Sequence, residues 1–286
     1  MHIGVVGAGT IGIGVAQSLS EASHRVVLVD ISEKALDSVA PEIRKSLRLQ
    51  KLLNKTAAAP SAEEVLGRIE RTTALDTLAP VDFVVENVTE RWTTKSDLYH
   101  RLDALCGAGC IFAANTSCFS ITRIASETKR PARVLGMHFM NPVPLKPAVE
   151  VIRGRETSEE TLQAALALLA TMGKRGIVVK DRPGFVSNRI LMLTINEAIG
   201  TVHDGTATVE QVDEIFKMCF GHKMGPLETA DLIGLDTILL SLEALHESLS
   251  DEKYRPSVLL CELVDANVLG RKTGKGFYDY DHLISN

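Results

Sequence analysis

No two cysteines in this 286-residue sequence form a Cys-x-x-Cys pair. The five present (Cys106, Cys110, Cys118, Cys219 and Cys261) are scattered, and no histidine cluster accompanies them at zinc-ligand spacing. No metal site is expected from them. An odd, unpatterned set of thiols suits a reducing compartment. No apolar run approaches the roughly 20 residues needed to span a bilayer. The chain opens directly on a strand pattern, without a charged segment, apolar stretch and cleavage site. A soluble, cytoplasmic protein without a membrane partner is the expectation. Positive charge is also in short supply, with 31 Lys and Arg against 36 Asp and Glu. That balance argues against a general nucleic-acid partner, which calls for a basic field. Internal repeats and low-complexity stretches are absent.

What is present is a hydrophobic content of 45%, enough for a sizeable core, and an alternating order of elements. Short, β-branched runs suggest strands at His2–Val6, Arg25–Asp30, Phe83–Glu86, Cys110–Ala114, Val134–Phe139, Val149–Arg153 and Ile177–Lys180. Several are continuously apolar, as strands covered on both faces are. Helical segments between many of them imply a parallel, doubly wound sheet. Thr161–Met172 reads as a helix with Gly173 just past its end. The Ala-rich stretch Thr56–Ala62 reads as a loop between helices. After Pro183 the pattern is helical, with segments at Val186–His203, Val209–Phe220, Leu227–Leu249 and Val258–Val268. The fold class is therefore α/β: a Rossmann-type doubly wound sheet (residues 1–183) followed by an all-α C-terminal domain (residues 184–286). About 100 residues of apolar helices have little interior of their own, which suggests packing against the first domain or a second copy.

The opening, HIGVVGAGTIGIGVAQ, places Gly7, Gly9 and Gly12 as G-x-G-x-x-G straight after a strand. The three glycines permit a tight turn, close approach of a pyrophosphate, and close packing of the next helix. The first residues of that helix, Thr10 and Ile11 among them, carry the free amides that favour an anion. Asp30 closes the second strand, where a carboxylate bonds a ribose hydroxyl and repels a 2′-phosphate. NAD is the expected cofactor, with a non-binding relic of the fold as the alternative.

Three further segments carry candidate chemistry: AANTSCFSIT, GMHFMNPVPLKPAVEVI and DRPGFVSNRI. His138 is a suitable base for a hydroxyl proton. Glu150 lies twelve residues later on the next strand, so the two can meet side by side, and a carboxylate there fixes the imidazole tautomer. Ser117 and Asn188 offer a hydroxyl and an amide to orient a substrate oxygen. Structural roles stay open for each: a hydrogen-bonded core histidine, a helix N-cap at Asn115–Ser117 and a polar helix residue at Asn188.

These segments, with ENVTE, MGPLETADLIGLD and GRKTGKGFYDY, resemble the L-3-hydroxyacyl-CoA dehydrogenase family, especially its bacterial 3-hydroxybutyryl-CoA members. The resemblance covers nearly the whole chain. It implies a substrate cleft between a Rossmann domain and a helical dimerisation domain, and hence a homodimer. It implies His138 as base with Glu150 as its partner, and Ser117 and Asn188 at the substrate oxygen. Around NAD it implies Gly7 to Gly12, Asp30, Glu90, Lys95, Asn115, Asn141 and Lys272.

Departures from the family pattern are Cys118 beside Ser117, Arg91 and Trp92 after Glu90, and Lys146 followed by Pro147. Cys118 reads as a nucleophile or, more simply, a small space-filling side chain. Lys146 and Arg91 read as rim charges or as contacts to a polar acyl group. The departures resemble a subgroup that oxidises hydroxyacyl groups on acyl carrier proteins for polyketide extender units. The basic positions Arg44, Lys45, Arg48, Lys51 and Lys55 suit CoA phosphates, an acidic carrier protein, or plain solvation. A non-catalytic, NAD-binding structural protein is the third reading.

Overall fold

Four parallel strands with no charged side chain in their interiors form the centre of the first unit. They are β1 (His2–Val6), β2 (Arg25–Val29, whose Arg25 begins outside the core), β4 (Phe83–Glu86) and β5 (Ile111–Ala114). The computed structural model describes residues 1–53 and 60–280. Among them, eight strands form one sheet in the order β3-β2-β1-β4-β5-β6-β7-β8. The others are β3 (Ile69–Thr72), β6 (Val134–His138), β7 (Ala148–Arg153) and β8 (Arg175–Lys180). The strand order reverses at β1, which pairs with β2 on one side and β4 on the other. That reversal opens a crevice at the carboxyl ends of β1 and β4, where open α/β sheets receive ligands.

Helices cover this sheet: α1 (Thr10–Glu21), α2 (Glu33–Leu53), α3 (Ala62–Gly67), α4 (Trp92–Leu105), α5 (Ile121–Ala125) and α6 (Glu159–Thr171). Ile3, Val5 and Met137 of the sheet pack with Val15 and Leu19 of α1 and Leu168 of α6, each at 1% exposure or less. Full burial of each such side chain is worth about 1.5–3 kcal/mol.

The fold departs from the sequence reading in five places. Strand β3 was not expected, because IERT is short and carries two exposed charges at the sheet edge. The sheet is not wholly parallel: β6 and β7 run antiparallel. Only nine residues join them, too few for the crossover that parallel neighbours need. The expected helix Leu227–Leu249 is broken at Gly234, whose φ of +103° no helix accommodates. Asp30 lies just beyond β2 rather than within it. Of the expected loop Thr56–Ala62, the part through 59 lies outside the described residues, as does Lys55. Ser61 instead caps α3 by accepting from the Glu64 amide.

The chain divides into two compact units, Met1–Arg182 and Pro183–Asn286. The second holds α7 (Ser187–His203), α8 (Val209–Met218), α9 (Pro226–Ile233), α10 (Leu235–Leu249) and α11 (Val258–Asp265). Its core gathers Ile195, Leu227, Ile238, Leu242 and Leu260, all at 0% exposure. Two buried carboxylates tie its closing segment down. Asp231 accepts from the amides of Phe277 and Tyr278, and Asp213 accepts from the Tyr278 hydroxyl and the amides opening α9. No described helix is long and apolar enough to cross a membrane.

Candidate active site

His138 ends β6, and the antiparallel register sets it directly opposite Glu150 of β7. Its Nδ1 lies 3.0 Å from Glu150 Oε2. An ionised carboxylate only accepts, so Nδ1 carries the proton of the neutral ring and donates it. Nε2 is then the acceptor, and the Ser117 hydroxyl stands 2.9 Å from it. His138 is 5% exposed, so its imidazole is shielded from bulk water. A serine, a histidine and a carboxylate therefore form one line across the ends of β5, β6 and β7. The line can accept a proton at Nε2 and stabilise the resulting cation through Glu150.

The glycine turn follows β1 in the same unit. Gly7 has φ +98°, and a Cβ there would meet the Asn87 carbonyl oxygen at 2.6 Å. A Cβ on Gly12 would collide with the Gly7 carbonyl, so α1 approaches the turn as only glycine allows. Gly9 differs: a Cβ there would meet nothing within 4 Å. Open space therefore stands over the backbone that begins α1, and Gly9 as N-cap supplies no side-chain acceptor to its amides. Asp30 spans from this turn to the start of α2, its carboxylate accepting from Ala8 N at 2.7 Å and Ser32 N at 2.8 Å. Thr10 is exposed and Ile11 half-buried. A cavity of about 460 Å³ adjoins the turn, lined by Gly9, Thr10, Lys45, Ser46 and Asn141 among others. Sheet end, glycine turn, open amides and acidic residue fit a dinucleotide with an unphosphorylated ribose.

Side-chain hydrogen bonds cross the carboxyl ends of the strands. Asn115 donates to Asn87 Oδ1 at 2.9 Å and accepts from Phe139 N at 3.0 Å, joining the ends of β4, β5 and β6. Beside it, Lys95 of α4 is wholly buried, 2.8 Å from Glu86 Oε1 and 3.7 Å from Glu90 Oε2. Burial pushes the Glu86 carboxyl up, and the adjacent Lys95 cation partly offsets this. Glu90 accepts from the Thr116 hydroxyl and from Ser117 N. Sequence reading missed Glu86, Asn87, Thr116 and Asp181. Asp181 accepts four hydrogen bonds from Ser120, Ile121 and Thr122 at the head of α5. The only advance signal was polarity at strand and loop ends, which also marks ordinary turns.

Asn188 is the second residue of α7, half-buried in the second unit. Lys272, also in that unit, pairs with Asp236. Lys146 is exposed, and its carbonyl accepts from the ammonium of the buried Lys174. Arg91 is exposed, whereas Trp92 stacks under the Arg123 guanidinium at 3.6 Å and beside Phe119. Cys118 is exposed, and its thiol donates to Glu90 Oε2 at 3.7 Å; partial desolvation first, and then that carboxylate, push it up to about 12. It is not an activated nucleophile. Among the described residues no group of three His, Cys, Asp or Glu is placed to hold a metal.

Comparison with known proteins decides the family. Residues 2–182 match the family described as 3-hydroxyacyl-CoA dehydrogenase, NAD binding domain, and residues 184–280 match the 3-hydroxyacyl-CoA dehydrogenase C-terminal domain. The chain belongs to the 3-hydroxyacyl-CoA dehydrogenase family. It is an oxidoreductase whose cofactor is NAD, in keeping with the open glycine turn and Asp30. It is 47% identical over 280 residues to a probable 3-hydroxybutyryl-CoA dehydrogenase of Deinococcus radiodurans, covering 98% of this chain and 100% of that one. A probable 3-hydroxybutyryl-CoA dehydrogenase of Bacillus subtilis is 44% identical, with 99% of each chain covered. The crystal structure of (S)-3-hydroxybutyryl-CoA dehydrogenase from Ralstonia eutropha superposes with a TM-score of 0.91 at 43% identity, covering 98% of each chain.

Proposed function

We propose that this member of the 3-hydroxyacyl-CoA dehydrogenase family interconverts a short 3-hydroxyacyl-CoA, of the 3-hydroxybutyryl type, with its 3-oxoacyl thioester. The observation that carries the reading is the Ser117–His138–Glu150 line, with Nε2 of the imidazole turned away from the carboxylate. NAD, when bound, supplies the hydride acceptor. His138 takes the C3 hydroxyl proton at Nε2 as the C3 hydrogen leaves, and returns it in the reverse direction. Glu150 steadies the imidazolium in a site sheltered from water. The Ser117 hydroxyl orients the oxygen that becomes the carbonyl. A matching role for Asn188 rests on the family resemblance alone.

Two features support a CoA thioester. The names of the similar proteins specify one, and Lys45 and Ser46, a cation and a hydroxyl of the kind that binds phosphate, line the cavity beside the glycine turn. The reading includes a homodimer through the C-terminal helices. Ile215, Met218, Phe220 and Leu240 leave apolar surface exposed there. A single-chain mass in sedimentation would remove that part. The deciding assay is NADH oxidation with acetoacetyl-CoA, run beside a 3-oxoacyl group tethered to an acyl carrier protein. Robust turnover of acetoacetyl-CoA is expected. Turnover of the tethered substrate alone would replace this reading with the carrier-protein one. No turnover of either, with NADH still bound, would leave a non-catalytic NAD-binding protein.

A further inference from the structure

We propose that Glu90 is a positioning residue, holding Ser117 in place beside His138 so that its hydroxyl can orient the substrate oxygen; this rests on the role given to Ser117 above. The family resemblance places Glu90 at the cofactor, but in this structure its carboxylate is occupied by the serine's own loop. Three consecutive residues turn a donor onto it. Thr116 donates its hydroxyl to Oε2 at 2.9 Å, Ser117 its amide to Oε1 at 2.8 Å, and Cys118 its thiol to Oε2 at 3.7 Å. The Thr116 hydroxyl oxygen in turn accepts from Phe119 N at 3.1 Å, so the loop is folded about that one hydroxyl. The other end of the loop's reach is the Ser117 hydroxyl, 2.9 Å from His138 Nε2.

Glu90 lies beyond the end of β4 and is itself held. Lys95 stands 3.7 Å from it and is fixed by Glu86, which ends β4. Support therefore runs from a buried strand end, through a buried cation and an exposed carboxylate, to the serine. The chemistry requires the charged form. Thr116, Ser117, Cys118 and Lys95 all turn donors toward Glu90, and an ionised carboxylate is acceptor-only. A glutamine would turn an NH₂ against the Ser117 amide or against Thr116 and Lys95, and the loop would have to shift. Bonds to a charged acceptor are also about twice as strong as neutral ones. A displacement of about 1 Å at a reacting group costs on the order of 10²-fold in rate.

The test uses the intact protein, with kcat measured at saturation and NADH affinity measured by fluorescence. Glu90→Gln should lower kcat by about 30-fold or more while NADH affinity stays within roughly twofold. In a Ser117→Ala background the same change should cost no more than about twofold further, since its target is gone. A merely structural loss would multiply in that background instead. Should Glu90→Gln fail to fold, Thr116→Val removes the loop's central hydroxyl, and its smaller kcat loss should likewise vanish beside Ser117→Ala. Weakened NADH binding with kcat retained would overturn the proposal in favour of a cofactor contact, and so would fully multiplicative losses. Ser117→Ala at the wild-type rate would strike the role of Ser117 itself. A slow Ser117→Ala with an unimpaired Glu90→Gln would strike the positioning role alone.

Discussion

His138 and Lys95 each face a carboxylate at hydrogen-bond distance, 3.0 Å to Glu150 and 2.8 Å to Glu86. Their accessibility differs slightly: the side chains of the first pair are 7% and 9% exposed, those of the second 0% and 1%. The larger difference is what remains on the far side of the cation. Nε2 of His138 meets the hydroxyl of Ser117 and carries a lone pair that can take a proton. The Lys95 ammonium meets a second carboxylate, Glu90, and has three protons but no lone pair to offer. Equal distance therefore supports opposite uses. One pair is arranged to change charge, and the other to keep it. Perturbing each pair in turn sharpens that contrast.

The largest effect is expected at the first pair. His138→Ala removes the acceptor for the hydroxyl proton and should lower kcat by about 10³-fold, the middle of the range for general base catalysis. The glycine turn and Asp30 are untouched, so NADH should bind with nearly unchanged affinity. Steady-state NADH oxidation at saturating acetoacetyl-CoA measures the first quantity and fluorescence titration the second. Turnover within about tenfold of wild type would show that the proton leaves by another route.

At the second pair the same kind of deletion should appear in stability. Lys95→Met leaves Glu86 buried with its charge uncompensated, which costs about 3–5 kcal/mol. The sign of the pH dependence follows from Glu86, whose carboxyl burial already pushes up. Without Lys95 it rises further above its unfolded value. The folded form then loses stability as pH climbs through the raised value, and escapes the penalty below the unfolded one. The deficit of Lys95→Met should be full at neutral pH and narrow on acidification. Adding Glu86→Gln should restore at least half of it by removing the charge. Denaturant unfolding across pH provides the check, and a pH-independent deficit would mean that lost packing, not charge, is responsible.

The two pairs were unequally legible in the sequence. His138 and Glu150 sit twelve residues apart on successive strand-like runs, so their meeting needed only local geometry. The antiparallel direction was missed because strand patterns carry no direction; the nine-residue link carries it. The glycine turn was legible for the same local reason. Glu86 and Lys95 are nine residues apart, but their contact depends on α4 folding back over β4. Glu90 reaches Ser117 across 27 residues, and Asp181 reaches the head of α5 across about 60. No periodicity encodes such contacts. Gly234 lay within a run that otherwise reads as one helix, and only its backbone angle reveals the break.

The smallest effect concerns Cys118, which lies against the residue that links the two pairs. The thiolate is the reactive form, and this thiol is pushed up to about 12 by partial desolvation and then by Glu90. At pH 8 only about one molecule in 10⁴ would carry the thiolate. Alkylation of Cys118 by iodoacetamide, followed by peptide mass spectrometry, should therefore be slow and rise roughly tenfold per pH unit to the limit of the protein's stability. Replacing Glu90 with Gln removes the second cause and leaves the first. The whole rate profile should then move to lower pH without reaching that of an ordinary exposed thiol. A wild-type profile that levels off near pH 9, the ordinary thiol value, would mean that the sulfur is not held against Glu90 at all. The carboxylate would then have no grip on that end of the serine loop, and the link between the Glu86–Lys95 pair and the His138–Glu150 pair would rest on Thr116 and the Ser117 amide.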